Sequence, residues 1–182
     1  MRFGKNLGER ITLGTKNMIE GIKKKIAQRL TTRVSTGLMF IEFNYLNSHP
    51  TPDSAWIRNI YILLSFYTEL LLKAIIVITG NFNDSNAVDS LLRKLGHNLE
   101  DIGKYLGPSL LSDFGIKEIR SVGHEYVITT PEGTFNVMDF QDIRYDFLDD
   151  RVRVIKGDEH DMFKRQIEIM YRINRQLKPL AW

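Results

Sequence analysis

The sequence predicts a mainly α-helical fold, an up-down helical bundle of about five or six helices with a small β-hairpin insertion. Three observations carry that prediction. From Ile60 to Ile78 apolar residues cover every face of one long helix, a pattern that belongs in a core or a membrane. Helical spacing recurs near both ends of the chain, in Met18, Ile19, Ile22, Ile26 and Leu30 and in Phe163, Ile167, Met170, Ile173 and Leu177. The period drops to two around Tyr126–Thr130 and Thr134–Met138, which flank the turn tetrad Thr130-Pro131-Glu132-Gly133.

Residues 1–14 contain three glycines and little periodicity, so they are expected to be loosely ordered. The helix from Thr15 carries Lys23, Lys24, Lys25 and Arg29 around its apolar face. That basic side is either an electrostatic contact for RNA or an anionic membrane surface, or an ordinary solvated face. No aromatic is interleaved with these charges, and no base-stacking platform is expected there. Leu38–Leu46 is a second dense apolar run, expected to form the helix that pairs with Ala55–Ile78. The loop between them, Asn47-Ser48-His49-Pro50-Thr51-Pro52, contains a solvated His49.

The central helix has a marked start, with Thr51 as N-cap, Pro52 at the first position and Asp53 at the positive end of the dipole. It is long enough to span a bilayer. Glu69 and Lys73 lie mid-run, however, and each costs about 2.5–3.5 kcal/mol at a bilayer centre, so a protein core is expected and no transmembrane segment. Four residues apart with the acid first, the two should pair on one face. Gly80 is expected to end the helix in the left-handed conformation. Asp84 or Ser85 caps the next helix, Gly96 interrupts it, and Asn98 restarts it ahead of Glu100 and Asp101. After Gly107-Pro108 a short helix is expected over Ser109–Val122. The hairpin follows, and Val152 and Val154, alternating with Arg151 and Arg153, suggest a third strand. Asp158 caps the last helix and Pro179 closes it.

With 182 residues the chain is sized for one domain with a substantial core. The sequence divides into a basic N-terminal arm or helix, 1–34, and a helical domain, 35–182, with the β insertion near 125–155. Residues 1–33 hold nine Lys/Arg and two Glu, a net +7; the whole chain is +3, so the remainder is −4. A basic arm on a mildly acidic body suits a polyanion or an acidic partner surface. The chain has no cysteine, which excludes disulfides, thiolate catalysis and cysteine zinc sites and suits a cytoplasmic location. No secretory signal core is present at the N-terminus.

The order "E-x-x-x-K-A … G" at Glu69, Lys73, Ala74 and Gly80, then "G-H-N-L-x-x-I" at Gly96, His97, Asn98, Leu99 and Ile102, resembles the HEPN superfamily. Ile143-Arg144-Tyr145 is similar to the R-Y element before that family's final helix. The resemblance covers roughly residues 55–178. It implies a HEPN-like homodimer, and either an RNA-associated protein of the toxin–antitoxin or defence kind or a non-catalytic interaction module. A nucleotide-binding helper to a nucleotidyltransferase partner encoded nearby is a variant of the latter.

Catalytic members resemble one another in an R-x(4–6)-H motif, and Arg153–His160 matches it, with six residues between. The resemblance implies a metal-independent endoribonuclease in which His160 takes the 2′-hydroxyl proton while Arg153 holds the phosphate. The alternative is an exposed histidine in a first helical turn. Arg93–His97 and Arg120–His124 would be i, i+4 neighbours on a helix, a packing relation as readily as a catalytic one. Glu69, Lys73, His97, Arg144 and Tyr145 form a candidate polar core site, with an ion pair and capping or packing as the plain alternative. Asp158, Glu159, His160 and Asp161 are adjacent at a helix start and cannot all face one metal. Phosphate loops and serine-nucleophile motifs are absent, and no cofactor is expected.

Overall fold

The computed structural model describes residues 5–47, 54–123, 125–138 and 159–181, with side chains for 17–47, 57, 59–123, 125–138 and 161–181. Five helices and one antiparallel sheet make up the described residues: α1 (Lys5–Ile41), α2 (Ser54–Thr79), α3 (Ser85–Leu95), α4 (Leu99–Asp113), β1 (Glu118–Val122), β2 (Glu125–Thr130), β3 (Gly133–Met138) and α5 (Glu159–Ala181). The fold is mainly helical with a small three-stranded sheet, as the sequence indicates at that level.

α1 is a single helix of 37 residues, followed directly by a π-helical turn at Glu42–Leu46. The expected loose order is therefore corrected for residues 5–14, and the two helical runs expected on either side of the 34/35 division are one helix. The reason is a continuous inward row: Ala27, Thr31, Val34, Leu38 and Ile41 are all buried, alternating steps of four and three along one face. Gly37 does not break the helix. A Cβ there would lie 1.9 Å from the Tyr67 ring, so glycine lets α1 approach α2 closely.

α2 sits at the centre, packed most extensively on α1 and also against α5, β3 and α4. Its stretch Asn59–Thr79 is long and apolar enough to cross a membrane, with mean hydropathy 1.9, and 61% of it is buried within the protein. Leu64, Leu71, Leu72, Ala74, Ile75, Ile76 and Val77 form the middle of the core. Gly80 keeps a helical bond, its N–H donating to the Ile76 carbonyl at 2.8 Å, and it is not among the positive-φ glycines. The expected left-handed cap is replaced by a steric requirement, because a Cβ on Gly80 would meet the Phe82 ring at 2.3 Å.

Asp84 caps α3 by accepting from the Ala87 N–H, and Asn98 caps α4 by accepting from the Asp101 N–H. Gly96, at φ +60°, turns the chain between them. α4 kinks at Gly107 (φ +76°), resumes at Pro108 and ends at Asp113. The helix expected over 109–122 thus stops early, and Glu118–Val122 is a strand. Its side chains are exposed except Ile119, so one buried residue gave the sequence no period to show.

The sheet order is β1-β2-β3, with Thr130 opposite Gly133 at the hairpin and Ser121 opposite Tyr126. Side chains reach backbone groups on both outer edges. Ser65 donates to the Met138 carbonyl and Gln166 Nε2 to the Asn136 carbonyl at 3.1 Å, while Glu100 accepts from the Ser121 N–H at 3.2 Å. α5 buries Phe163, Ile167, Met170, Ile173 and Leu177 as expected, and runs through Pro179 to Ala181 rather than stopping before it. Arg172 fastens α5 to the end of α4 and to the hairpin, donating to the Phe114 carbonyl at 3.0 Å and lying 2.9 Å from Glu132. The expected third strand at 152–154, the caps Thr51 and Asp158, and His49 lie outside the described residues.

Candidate functional site

Two groups of side chains stand out, one inside the bundle and one along its surface. The inner group begins on α2, where Glu69 and Lys73 project from successive turns of one face. Glu69 Oε1 accepts from Lys73 Nζ at 2.6 Å. The other oxygen, Oε2, lies 2.8 Å from His97 Nδ1. An ionised carboxylate can only accept, so Nδ1 carries the hydrogen in this bond. The Glu69 side chain is 4% exposed, Lys73 12% and His97 44%, which grades the cluster from core to surface. Gly96 makes it possible: its positive φ ends α3 and swings His97 back over α2, while Asn98 starts α4.

Three of the five residues of the expected polar core site therefore meet. Arg144 and Tyr145 lie outside the described residues, as does Arg153, and His160 is in the first turn of α5 with its side chain outside them. Arg93 is not an i, i+4 neighbour of His97, because α3 has ended; it pairs with Asp89 at 2.7 Å. Arg120 lies on β1 beside Glu118. The Glu69–His97 bond joins residues 28 apart in the chain, and no local spacing signals it.

The outer group lies on α1. Lys23 falls one step of four before Ala27, on the inward row, and is buried against the helix with Nζ 2.9 Å from Glu20 Oε1. Lys24, Lys25, Arg29 and Arg33 are exposed. The same helix continues into Met39, Phe40 and Phe43, exposed to 62%, 49% and 71%. Separated in sequence reading into a basic helix and an apolar run, these residues share one rod.

A shallow cleft of about 290 Å³ lies between β3 and α5, lined by Phe135, Met162, Arg165, Gln166 and others. Gln166 is buried there, and its Oε1 has no hydrogen-bond partner among the described residues. Among the described residues no group of three or more His, Asp or Glu side chains is placed to hold a metal ion. Comparison of the chain with protein families, with curated proteins and with solved structures finds no match.

Proposed function

We propose that this chain is a HEPN-like, RNA-associated protein of the toxin or defence kind, which contacts RNA through the outer face of α1. The observation that carries the RNA contact is the exposed set Lys24, Lys25, Arg29 and Arg33 on a single rigid helix, in the segment that holds the chain's excess positive charge. Phosphate contacts of this kind need charge at regular spacing more than they need a pocket. The HEPN-like reading is supported by the meeting of the two motif pieces, Glu69-Lys73 and His97, in one hydrogen-bonded cluster. Cleavage, in this reading, belongs to Arg153 and His160.

The test is a binding titration with labelled RNA over a salt series. Three or four phosphate contacts give a log–log salt slope of about −2 to −3, and Lys24→Glu with Lys25→Glu and Arg29→Glu should abolish measurable binding. Affinity that ignores ionic strength overturns the proposal. Incubation with mixed RNA in chelator, beside an Arg153→Ala/His160→Ala variant, tests cleavage: equal cleavage by both removes the catalytic part.

A second reading, a non-catalytic homodimeric interaction module, is favoured by the exposed Met39, Phe40 and Phe43. Apolar side chains clustered at one end of a helix suit a partner surface. Multi-angle light scattering of the Phe43→Ser variant separates the two, since a dimer built there becomes a monomer.

A further inference from the structure

Asn174 on α5 donates from Nδ2 to the Thr31 carbonyl at 3.2 Å and to Ser35 Oγ at 2.7 Å. Three residues earlier, the Tyr171 hydroxyl donates to Glu42 Oε2 at 3.4 Å. Residue numbers fall along α5 as they rise along α1 and its π-helical turn, so the two helices run antiparallel. The last turns of α5 therefore lie beside the residues that precede Thr31. Arg175 and Lys178 follow Tyr171 and Asn174 by four residues each, which puts both on the side of α5 that meets α1. On α1, Lys24, Gln28, Thr31 and Ser35 follow in steps of four, three and four along the same seam, and Lys25, Arg29 and Thr32 form the next stripe outward. Five exposed cations from the two ends of the chain, Lys24, Lys25, Arg29, Arg175 and Lys178, thus share one surface, on helices about 8–10 Å apart. No acidic residue occurs in residues 21–41 or 169–182. Among the described residues none of the five forms an ion pair, whereas Arg93, Lys104 and Arg172 each hold a carboxylate.

We infer that the α1–α5 seam is one phosphate-binding surface, in which Arg175 and Lys178 hold the RNA backbone together with Lys24, Lys25 and Arg29. The inference rests on the RNA reading above and extends its site to a second helix. What surrounds the cations selects a phosphate backbone as the occupant. Gln28 and Thr32 lie among them, side chains of a kind that hydrogen-bond phosphate oxygens. The exposed large apolar side chains of the two helices and the π-helical turn, Met18, Met39, Phe40, Phe43 and Leu180, all fall outside Lys24–Thr32 and Arg175–Lys178. A protein partner needs apolar or aromatic anchors at the centre of its interface, and a membrane surface needs an apolar face to bury beneath the headgroups. A nucleic-acid backbone needs only closely spaced charge. A second copy placed by a twofold axis through the seam would set cations against cations.

The experiment is fluorescence anisotropy of a labelled mixed-sequence RNA over a salt series. Five contacts give a log–log slope of about −3.5 to −4.5, against about −2 to −3 for α1 alone. Arg175→Gln with Lys178→Gln should return the slope to the α1 value, a change of about 1.4–1.8, and so weaken binding about 25–60-fold at about 0.1 M salt. Lys94→Gln with Lys164→Gln removes two exposed charges from outside the seam and should change affinity less than about threefold, the distance being screened. Circular dichroism checks that these exposed substitutions leave the helix content intact. Equal losses in the two variants reduce the effect to net charge and overturn the seam. An unchanged slope in the Arg175/Lys178 variant, while charge reversal at Lys24, Lys25 and Arg29 still abolishes binding, overturns it and leaves the α1 contact standing. Absence of RNA binding at low salt overturns the RNA reading and the seam together; phosphatidylglycerol vesicles bound by the parent and not by the Arg175/Lys178 variant would then assign the cations to a membrane. Poly-glutamate that displaces the RNA as well as unlabelled RNA does assigns the surface to an acidic protein and overturns the inference. So does a dimer that the Arg175/Lys178 variant dissociates with RNA affinity unchanged.

Discussion

Glu69→Ala removes the carboxylate on which two other polar side chains depend. Lys73 would keep its charge with its side chain only 12% exposed and without the oxygen now 2.6 Å away; His97 would lose its 2.8 Å partner. Removing one member of a buried pair costs about 3–5 kcal/mol, because the remaining charge is stranded. Lys73 can reach water with its tip and His97 is largely wetted, so the lower end applies, about 3 kcal/mol. For a chain of this size about 2–4 °C of Tm goes with each kcal/mol, giving a fall of about 6–12 °C. The paired replacement Glu69→Leu/Lys73→Met should recover most of that loss and lie within about 1–2 kcal/mol of the parent, since it strands no charge. Urea unfolding followed by far-UV circular dichroism, with Tm from calorimetry, measures both variants. A single variant within about 1 kcal/mol of the parent, or a double variant as damaged as the single one, would refute the stranded-charge reasoning.

Gly80→Ala should cost about 1–3 kcal/mol by overpacking, because its Cβ would meet the Phe82 ring at 2.3 Å and the Ile76 carbonyl at 2.7 Å; thermal denaturation checks it. Asn98→Ala removes the cap on the Asp101 N–H and should cost about 1 kcal/mol in the same assay, whereas Asn98→Asp should be close to neutral. The Lys104 hydrogen bond, and after it the Ser121 N–H, hold the Glu100 carboxyl below its usual 4.5. A carboxyl lowered on folding contributes stability that is present above its unfolded value and lost as pH falls through the folded one, so Glu100→Gln should flatten the Tm profile below pH 4.5. Burial, and then the carboxylate of Glu42 beside it, push the Tyr171 phenol up to about 12. The sign is opposite, with stability present below the unfolded value of 10.0 and lost as pH rises through 12; ultraviolet titration of Tyr171→Phe should lack that late phenol.

What was legible in the sequence was local. The Asp84 and Asn98 caps, the i, i+4 pair Glu69–Lys73 and the hairpin around Pro131-Glu132 each need only neighbours within a few residues, and the structure has each of them. What failed was set by distant partners. Gly37 looks like a weak point in a helix until the Tyr67 ring is known to occupy the space of its missing Cβ. Lys23 looks like part of a basic run, although the spacing to Ala27, Thr31, Val34, Leu38 and Ile41 places it on the inward row, a signal that was present and outweighed by its charge. Gly80 carries the chemistry of a left-handed cap and serves instead the ring of Phe82. β1 has one buried residue from which no period can be read; the grouping of His97 with Glu69, by contrast, comes from the family resemblance, since no local spacing names it.

A helix apolar on every side has no inherent reason to choose one rotation about its axis, since each face buries about as much as any other. The few polar side chains of α2 break that degeneracy. The Thr68 and Thr79 hydroxyls donate to carbonyls four residues back, at 2.7 Å each, and these bonds would survive any rotation. Ser65 and Glu69 differ, because their partners belong to other elements: the Met138 carbonyl at the edge of β3 and His97 in the turn between α3 and α4. A rotation that preserved apolar burial would leave a carboxylate in the core without one of its two partners, and an ionised group so placed costs far more than a displaced methyl group. Packing therefore supplies most of the stability of α2, and two polar side chains on successive turns supply its orientation. Since α1 lies along α2, with Gly37 against Tyr67, the same two contacts also help fix which face of α1 turns outward.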